Sequence, residues 1–138
     1  MDKLSKEARS ANMSRIGGSD TIPEEMVRKF LFSKGLRFRK NDRRYPGKPD
    51  IVLPKYRTAV FVNGCFCHCH SGCKNFSIPK TNSEFWRNKL QRNIKRDKLN
   101  YKKLNENGWN VKVVWECELK KAARIDRLEQ LYREITKN

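Results

Sequence analysis

Residues 50–70 read DIVLPKYRTAVFVNGCFCHCH, and they carry the clearest sequence signal for the fold. It holds two runs of apolar and β-branched residues, 51–53 and 58–62, which are typical of β-strands. The residues between them, 54–57, begin with proline and favour a turn. The stretch therefore predicts a hairpin whose second strand, nearly all apolar, is buried. A dense Cys/His cluster follows that strand directly.

Upstream of the hairpin, the sequence predicts one amphipathic helix. Residues 21–24 (TIPE) have the form of a capping box, and apolar residues at helical spacing follow them until Gly35. Residues 36–48 form a basic segment that runs into turn chemistry before the hairpin. Residues 1–20 are polar and contain two adjacent glycines, so we expect them to form a flexible arm.

Downstream of the cluster, residues 81–84 have capping-box form, and apolar residues recur at helical spacing until Gly108. This pattern predicts a helix of about six turns. Residues 110–115 alternate and predict a further strand, and residues 125–135 predict a final helix. The order of elements predicts an α/β fold, a central mixed sheet flanked by helices, with residues 21–138 as a single domain.

The chain is strongly basic. It holds 32 Lys and Arg against 15 Asp and Glu, a net charge of +17 over 138 residues. Nine of the cations lie in residues 28–48 with one acid, and eight lie in residues 84–103 with two acids. Self-repulsion on this scale destabilises a fold, and a polyanion relieves it, so nucleic acid is the first partner that we expect. The alternative is a solvated face that only keeps the protein in solution.

The hydrophobic pattern excludes two classes of protein. No apolar run approaches the ~20 residues of a membrane span, and no apolar stretch follows the N-terminal Met. We therefore expect no membrane association and no secreted precursor, and we expect a cytoplasmic protein.

Six candidate metal ligands lie within nine positions after the hairpin. They are Cys65, Cys67, His68, Cys69, His70 and Cys73. A seventh, Cys117, follows the strand predicted at 110–115. A disulfide framework would spread its cysteines, whereas this density is typical of zinc ligands in a reducing compartment. The spacing alone does not select the four ligands of a tetrahedral site.

Asp50 opens the hairpin directly after a proline. An aspartate in such a place is more often a turn residue than a metal ligand. A Pro-Asp pair on one strand of a hairpin, with functional residues at the end of the next strand, nevertheless resembles the metal-binding core of restriction-type endonucleases. The acid-x-lysine of those enzymes is absent, because residues 61–63 read Phe-Val-Asn.

Ordered sequence blocks across residues 9–119 resemble the very-short-patch repair (Vsr) DNA mismatch endonucleases. The blocks are Asn12-Met13-Ser14, Asp20-Thr21 with Pro23-Glu24, residues 46–50 (PGKPD), residues 61–66 (FVNGCF), residues 84–86 (EFW), Asn93 with Arg96-Asp97, Gly108-Trp109 and residues 114–117 (VWEC). The resemblance implies a restriction-endonuclease-like core. It also implies a magnesium-dependent nick in one DNA strand, 5′ of the thymine of a T·G mismatch left by deamination of 5-methylcytosine.

The resemblance further implies roles for individual residues. Asp50 and the backbone carbonyl of Val62 would hold Mg²⁺, and His68 would be the acid/base histidine. Glu24 and Asn63 would belong to the same catalytic group, and a helix cap is the alternative role of Glu24. The structural zinc ligands that the resemblance implies are Cys65, His70, Cys73 and Cys117.

The implied partner is double-stranded DNA with a T·G mismatch. Phe66 and Trp86 match aromatic residues that wedge into the duplex, although core packing is an equal alternative for Trp86. Lys89 and Asn93 match residues that face the mismatched bases, and Met13 belongs to an arm that closes on the DNA. We expect a monomer in a bacterial cytoplasm, associated with the nucleoid through DNA, with a MutL-type repair protein as a candidate partner.

Two departures from the family pattern concern one loop. The family usually has tryptophan where this chain has Cys67, so one intercalating aromatic is missing. The segment from Cys69 to Cys73 is one residue longer than the commonest family loop, which leaves Cys67 and Cys69 as alternative zinc ligands.

Two other functions explain part of the sequence. A non-catalytic zinc module that binds DNA or RNA accounts for the charge and the cysteines, but not for Asp50 or His68. A restriction-type nuclease that cuts both strands of matched DNA is the second.

Overall fold

A computed structural model describes residues 21–66, 68–70, 73 and 77–137 of the chain. Its helices are α1 (Ile22–Ser33), α2 (Ser83–Glu106) and α3 (Arg124–Thr136). Its strands are β1 (Arg39–Lys40), β2 (Ile51–Leu53), β3 (Thr58–Asn63) and β4 (Asn110–Trp115). The predicted order of helix, hairpin, helix, strand and helix is confirmed. The arm expected at residues 1–20, with Met13, lies outside the described residues.

The four strands form one mixed sheet in the order β1-β2-β3-β4. β2 and β3 pair antiparallel, as predicted, and a short 3₁₀ turn at Pro54–Tyr56 connects them. β3 and β4 pair in parallel, with Asn63 opposite Trp115, and the chain crosses between them through α2. Because parallel strands end at the same edge of a sheet, the residues after β3 and after β4 leave the sheet side by side.

Strand side chains alternate between two helical layers. One face packs on α1 and α3 through a cluster that includes Ile51, Leu53, Val60, Val62, Val114, Val27, Leu31, Leu128, Leu131 and Ile135. The other face packs on α2 through Ala59, Phe61 and Leu104, with partly buried neighbours that include Tyr101, Trp109 and Val113. The predicted α/β class, with helices flanking a mixed sheet, is therefore confirmed.

α1 begins where the sequence predicts. The Thr21 hydroxyl accepts a hydrogen bond from the Glu24 backbone N–H at 3.4 Å. The Glu24 side chain is only 4% exposed and pairs with Arg28 at 3.4 Å. Gly35, with φ of +88°, follows the end of the helix. The backbone of Glu24 thus serves the cap, while its carboxylate pairs with Arg28.

Two features differ from the sequence prediction. The basic segment at residues 36–48 contributes β1, whose two residues are both exposed, so no alternation of apolar residues marks this strand. α2 begins at Ser83 rather than through a capping box over residues 81–84, since Asn82 has φ of 56° and makes no side-chain cap.

α2 is long and buries little of itself. Only Leu90 and Leu104 are buried among its 24 residues, and all eight of its Lys and Arg side chains are exposed. Gly47, with φ of +79°, lets the loop before β2 approach the helix, because a Cβ there would lie 3.1 Å from the Cβ of Asn100.

Within the described residues, no helix has both the length and the apolarity to cross a membrane.

Candidate active site and metal centre

Asp50 lies just before β2, between β3 and α1. Its Oδ2 accepts a hydrogen bond from the Val62 backbone N–H at 2.6 Å. Its carboxyl group also shares a hydrogen bond with that of Glu24. Burial raises the pKa of Asp50 to about 7; the Val62 hydrogen bond opposes this shift, and the charge of Glu24 adds to it. Two sequence-predicted site residues, Asp50 and Glu24, therefore form one carboxyl pair.

This carboxyl pair fits a hard divalent cation. Mg²⁺ prefers oxygen ligands and is commonly held by one or two carboxylates. Bringing two carboxylates together inside a protein is unfavourable unless a proton or a cation lies between them, and this repulsion adds to burial in raising the pKa of Asp50. The backbone N–H of Val62 donates to Asp50. The role of the Val62 carbonyl as a magnesium ligand stays a prediction.

His68 is held by Asp97 of α2. His68 Nδ1 lies 2.6 Å from Asp97 Oδ2, and Arg96 pairs with the other carboxylate oxygen of Asp97 at 3.2 Å. Burial acts to raise the pKa of Asp97, but the hydrogen bond and the charge of His68 outweigh it, so the pKa is lowered. An aspartate that holds Nδ1 orients the ring and leaves Nε2 for proton transfer. Asp97 was not predicted as a site residue from the sequence.

An open cleft of about 430 Å³ lies between α2 and the ends of β3 and β4. Its lining includes Asn63, His68, Asp97, Lys98 and Tyr101. Burial raises the pKa of Tyr101, and the charges of Asp97 and Asp50 raise it further. The charges of Asp97, which lines the cleft, and of Asp50, which lies behind its lining, thus both act on this one tyrosine.

Four side chains form a candidate metal centre beside this cleft. They are Cys65, His70, Cys73 and Cys117, and their ligand atoms all lie within 4.8 Å of one another. His70 Nδ1 lies 3.6 Å from Cys65 Sγ and 3.4 Å from Cys117 Sγ. Sulfur and nitrogen ligands of a tetrahedral zinc ion lie roughly 3.5 to 3.8 Å apart. The quartet that the resemblance implied therefore has a geometry that could hold zinc.

The sheet register positions this quartet. Cys65 and Cys117 each follow the paired residues Asn63 and Trp115 by two positions. The Cys65 backbone N–H donates to a Glu116 carboxylate oxygen at 3.1 Å, which ties the two chain segments together. The His70 ring stacks on Trp115, with centroids 4.1 Å apart.

Among the described cysteines, only Cys69 lies outside the quartet. Cys69 Sγ donates to the Leu90 carbonyl at 3.6 Å and does not join the group. Cys67, the other alternative ligand, lies outside the described residues. The four described cysteines are free thiols, and burial raises the pKa of Cys65 to about 12, so a metal ion must displace protons when it binds.

An aromatic cluster lies at the start of α2. The Phe66 and Trp86 rings meet edge to face at 5.4 Å, and Lys89 Nζ lies 5.3 Å from the Trp86 ring centroid. Trp86 is partly exposed and belongs to neither core cluster, which disfavours the core-packing alternative. Phe85, 54% exposed and 5.3 Å from Trp86, extends the cluster and had no assigned role. Asn93 lies two turns further along the same helix.

A cleft with an aspartate-held histidine, a buried carboxyl pair beside the neighbouring strand β3 and a helix of exposed cations are together typical of a DNA endonuclease. Comparison with known proteins agrees, since the family model of the DNA mismatch endonuclease Vsr matches residues 1–75. The chain belongs to the Vsr family of DNA mismatch endonucleases, which confirms the resemblance.

Curated relatives match nearly the whole chain. The type II nicking enzyme V.NmeAIP of Neisseria meningitidis is 52% identical over 97% of this chain and 96% of its own length. The DNA mismatch endonuclease Vsr of Escherichia coli is 39% identical over 94% of this chain and 86% of its own length. The type II nicking enzyme V.XorIIP of Xanthomonas oryzae is 43% identical over 86% of each chain. These relatives support DNA endonuclease activity.

The quartet predicts one tightly bound Zn²⁺ per chain. Cys73→Ser and Cys117→Ser should each lose the metal and lower the melting temperature by about 10 °C or more, because ligation joins the segments after β3 and β4. Cys69→Ser is the matched control and should keep both. Metal analysis of reduced protein and thermal unfolding measure these effects; full zinc content in Cys117→Ser would contradict the ligand set.

The Asp50 pKa predicts a pH-dependent stability in buffer without magnesium. The folded state binds the proton more tightly than the unfolded chain, because the pKa is raised from 3.8 to about 7. Stability should therefore fall as pH rises from 4 to 7 and stay low above it. Asp50→Asn should be more stable than wild type by about 1 to 3 kcal/mol at pH 8 and no more stable at pH 4. Urea unfolding at both pH values tests this; equal stability at pH 8 would refute the buried charge.

Proposed function

We propose that this protein is a magnesium-dependent, strand-specific DNA endonuclease with a restriction-endonuclease-like core. It nicks one strand 5′ of the thymine in a T·G mismatch left by deamination of 5-methylcytosine, and so initiates very short patch repair. The observation that carries the proposal is the Asp97-held His68 in the cleft, with the buried Asp50–Glu24 carboxyl pair bound to the adjacent strand β3 through Val62. The E. coli relative described as a DNA mismatch endonuclease supports the substrate.

The catalytic roles follow from the contacts. In this proposal Asp50 and the Val62 carbonyl hold Mg²⁺, with Glu24 beside them. When bound, the ion would offset the charge of the phosphate and activate water toward it. His68 moves a proton through Nε2, because Asp97 holds Nδ1. Zn²⁺ on the Cys/His quartet is structural and keeps the His68 loop in place, since His68 lies between the ligands Cys65 and His70.

The aromatic cluster would select the mismatch. A T·G pair stacks less well than a Watson–Crick pair. Inserting Phe66 and Trp86 beside it therefore requires less unstacking free energy than in matched DNA. Lys89 and Asn93 lie on the same helix and would face the mismatched bases. The exposed cations of α2 would hold the phosphates on either side.

The remaining parts of the proposal concern the context of the reaction. Residues 1–20, with Met13, form an arm that closes on the DNA, and residues 21–138 form the endonuclease domain. The protein acts as a monomer in a bacterial cytoplasm, bound to the nucleoid through DNA, and a MutL-type repair protein is a candidate partner.

Nicking assays on paired duplexes test the function. Wild type with Mg²⁺ should nick the thymine strand of a T·G duplex and leave a T·A duplex intact. Asp50→Ala should lower the nicking rate by about 1,000-fold or more, because the metal-bearing carboxylate is lost. Its DNA affinity should be similar or higher, since one negative charge near phosphate is gone. Binding without any cleavage would favour the non-catalytic zinc module, and cleavage of both strands of T·A DNA would favour the restriction-type nuclease.

Trp86→Ala should weaken binding to T·G DNA by one to two orders of magnitude, since a base–aromatic stack contributes about 1 to 3 kcal/mol. Binding to T·A DNA should change much less, because phosphate contacts dominate it. Phe32→Ala removes an exposed aromatic of α1 and is the matched control. The measurement is the ratio of affinities for the two duplexes; equal weakening of both would mean that Trp86 supports only the general DNA surface.

A further inference from the structure

We infer that the Tyr101 hydroxyl donates a hydrogen bond to the scissile phosphate, and that Asn63 is the positioning residue that holds this hydroxyl in place. The inference rests on the proposed function, because it names a further substrate contact in the same cleft. It also makes Asn63, which the resemblance places in the catalytic group, a positioning residue.

The contact between the two side chains carries the inference. Asn63 Nδ2 donates to the Tyr101 hydroxyl oxygen at 2.9 Å. The oxygen is therefore the acceptor, and the hydroxyl proton remains for another group. Asn63 is only 3% exposed at the end of β3, whereas Tyr101 is partly exposed and lines the cleft. Of this pair, the tyrosine is the member that a ligand in the cleft can reach.

The position of Tyr101 matches the expected place of a phosphate. Tyr101 lies one helical turn after Asp97, which holds His68, and Asn63 follows Val62, which holds Asp50. The Phe61 ring packs on the Tyr101 ring with centroids 4.9 Å apart, which limits its motion. His68 and Tyr101 line the same cleft, so a phosphate that approaches His68 there also comes near the tyrosine hydroxyl.

The electrostatics favour a neutral donor at this point. Glu24, Asp50 and Asp97 give the site three carboxyl groups, which repel phosphate. Burial and the charges of Asp97 and Asp50 raise the pKa of Tyr101, so its hydroxyl stays protonated at neutral pH. A protonated phenol offers a hydrogen bond to an anion without adding negative charge.

The variant that tests the inference is Tyr101→Phe, which keeps the ring that packs on Phe61. We expect single-turnover nicking of T·G DNA to slow by about 10- to 100-fold, the effect of one hydrogen bond to a charged group. DNA affinity, spread over many phosphates, should stay near wild type. The melting temperature should fall by a few degrees because the buried Asn63 amide loses its acceptor, so the rates are compared well below it. Tyr132→Phe removes the hydroxyl of a partly buried tyrosine on the opposite face of the sheet and should nick at the wild-type rate.

A double-mutant cycle tests the role of Asn63. If Asn63 acts through Tyr101, Asn63→Ala slows nicking in the wild-type background and has little further effect in the Tyr101→Phe background. Additive losses would mean that Asn63 contributes separately, and would overturn its role as the positioning residue.

A binding readout separates this inference from the proposed function. The chain has four tyrosines, so ¹⁹F spectra of protein labelled with 3-fluorotyrosine can be assigned with the Tyr101→Phe variant. Addition of T·G DNA with Ca²⁺ in place of Mg²⁺ should shift the Tyr101 resonance and leave that of Tyr132 unchanged. If wild type nicks but Tyr101→Phe nicks equally fast, the inference fails and the proposed function stands. If wild type does not nick, the proposed function fails, and an unshifted Tyr101 resonance would overturn the phosphate contact as well.

Discussion

The parallel pairing of β3 with β4 is the constraint on which the rest of the structure depends. Its register sets Asn63 opposite Trp115, so that Cys65 and Cys117 leave the sheet together and meet His70. A parallel pair also requires a crossover, and α2 supplies it. The helix that makes this connection carries Trp86, Asp97 and Tyr101. The candidate metal centre, the cleft and the aromatic cluster are thus consequences of one strand pairing.

The fold was largely predictable because its main elements have strong local patterns. The apolar hairpin, the long period-3.6 helix and the alternating strand at 110–115 each carry their signal within a few residues. β1 could not be predicted, because Arg39 and Lys40 are both exposed and its pairing with β2 depends on the sheet already present. The start of α2 differs for a local reason, since Asn82 adopts a left-handed conformation that the capping pattern does not reveal.

The candidate site was predictable in part. The metal quartet and Asp50 stand in compact motifs, and the resemblance named them. Asp97 lies in a helix dense with Lys and Arg, where a single acid looks like part of a solvated face. Tyr101 belongs to the apolar residues at helical spacing and therefore looks like a packing residue. Their partners, His68 and Asn63, are 29 and 38 positions away along the chain. Only the packing of α2 against the ends of β3 and β4 reveals that these pairs meet.

The order of side chains around the Cys/His quartet has a consequence for how this loop can vary among related proteins. His68 lies in the chain between the two candidate ligands Cys65 and His70. The His70 backbone N–H donates to the Cys65 carbonyl at 2.9 Å, and this hydrogen bond joins the two ends of the segment that contains His68. An insertion between Cys65 and His70 would displace His68 from Asp97. An insertion between His70 and Cys73 would lengthen only the segment that leads to the last candidate ligand. A change of length is therefore compatible with the site between His70 and Cys73, since the histidine would keep its contact with Asp97.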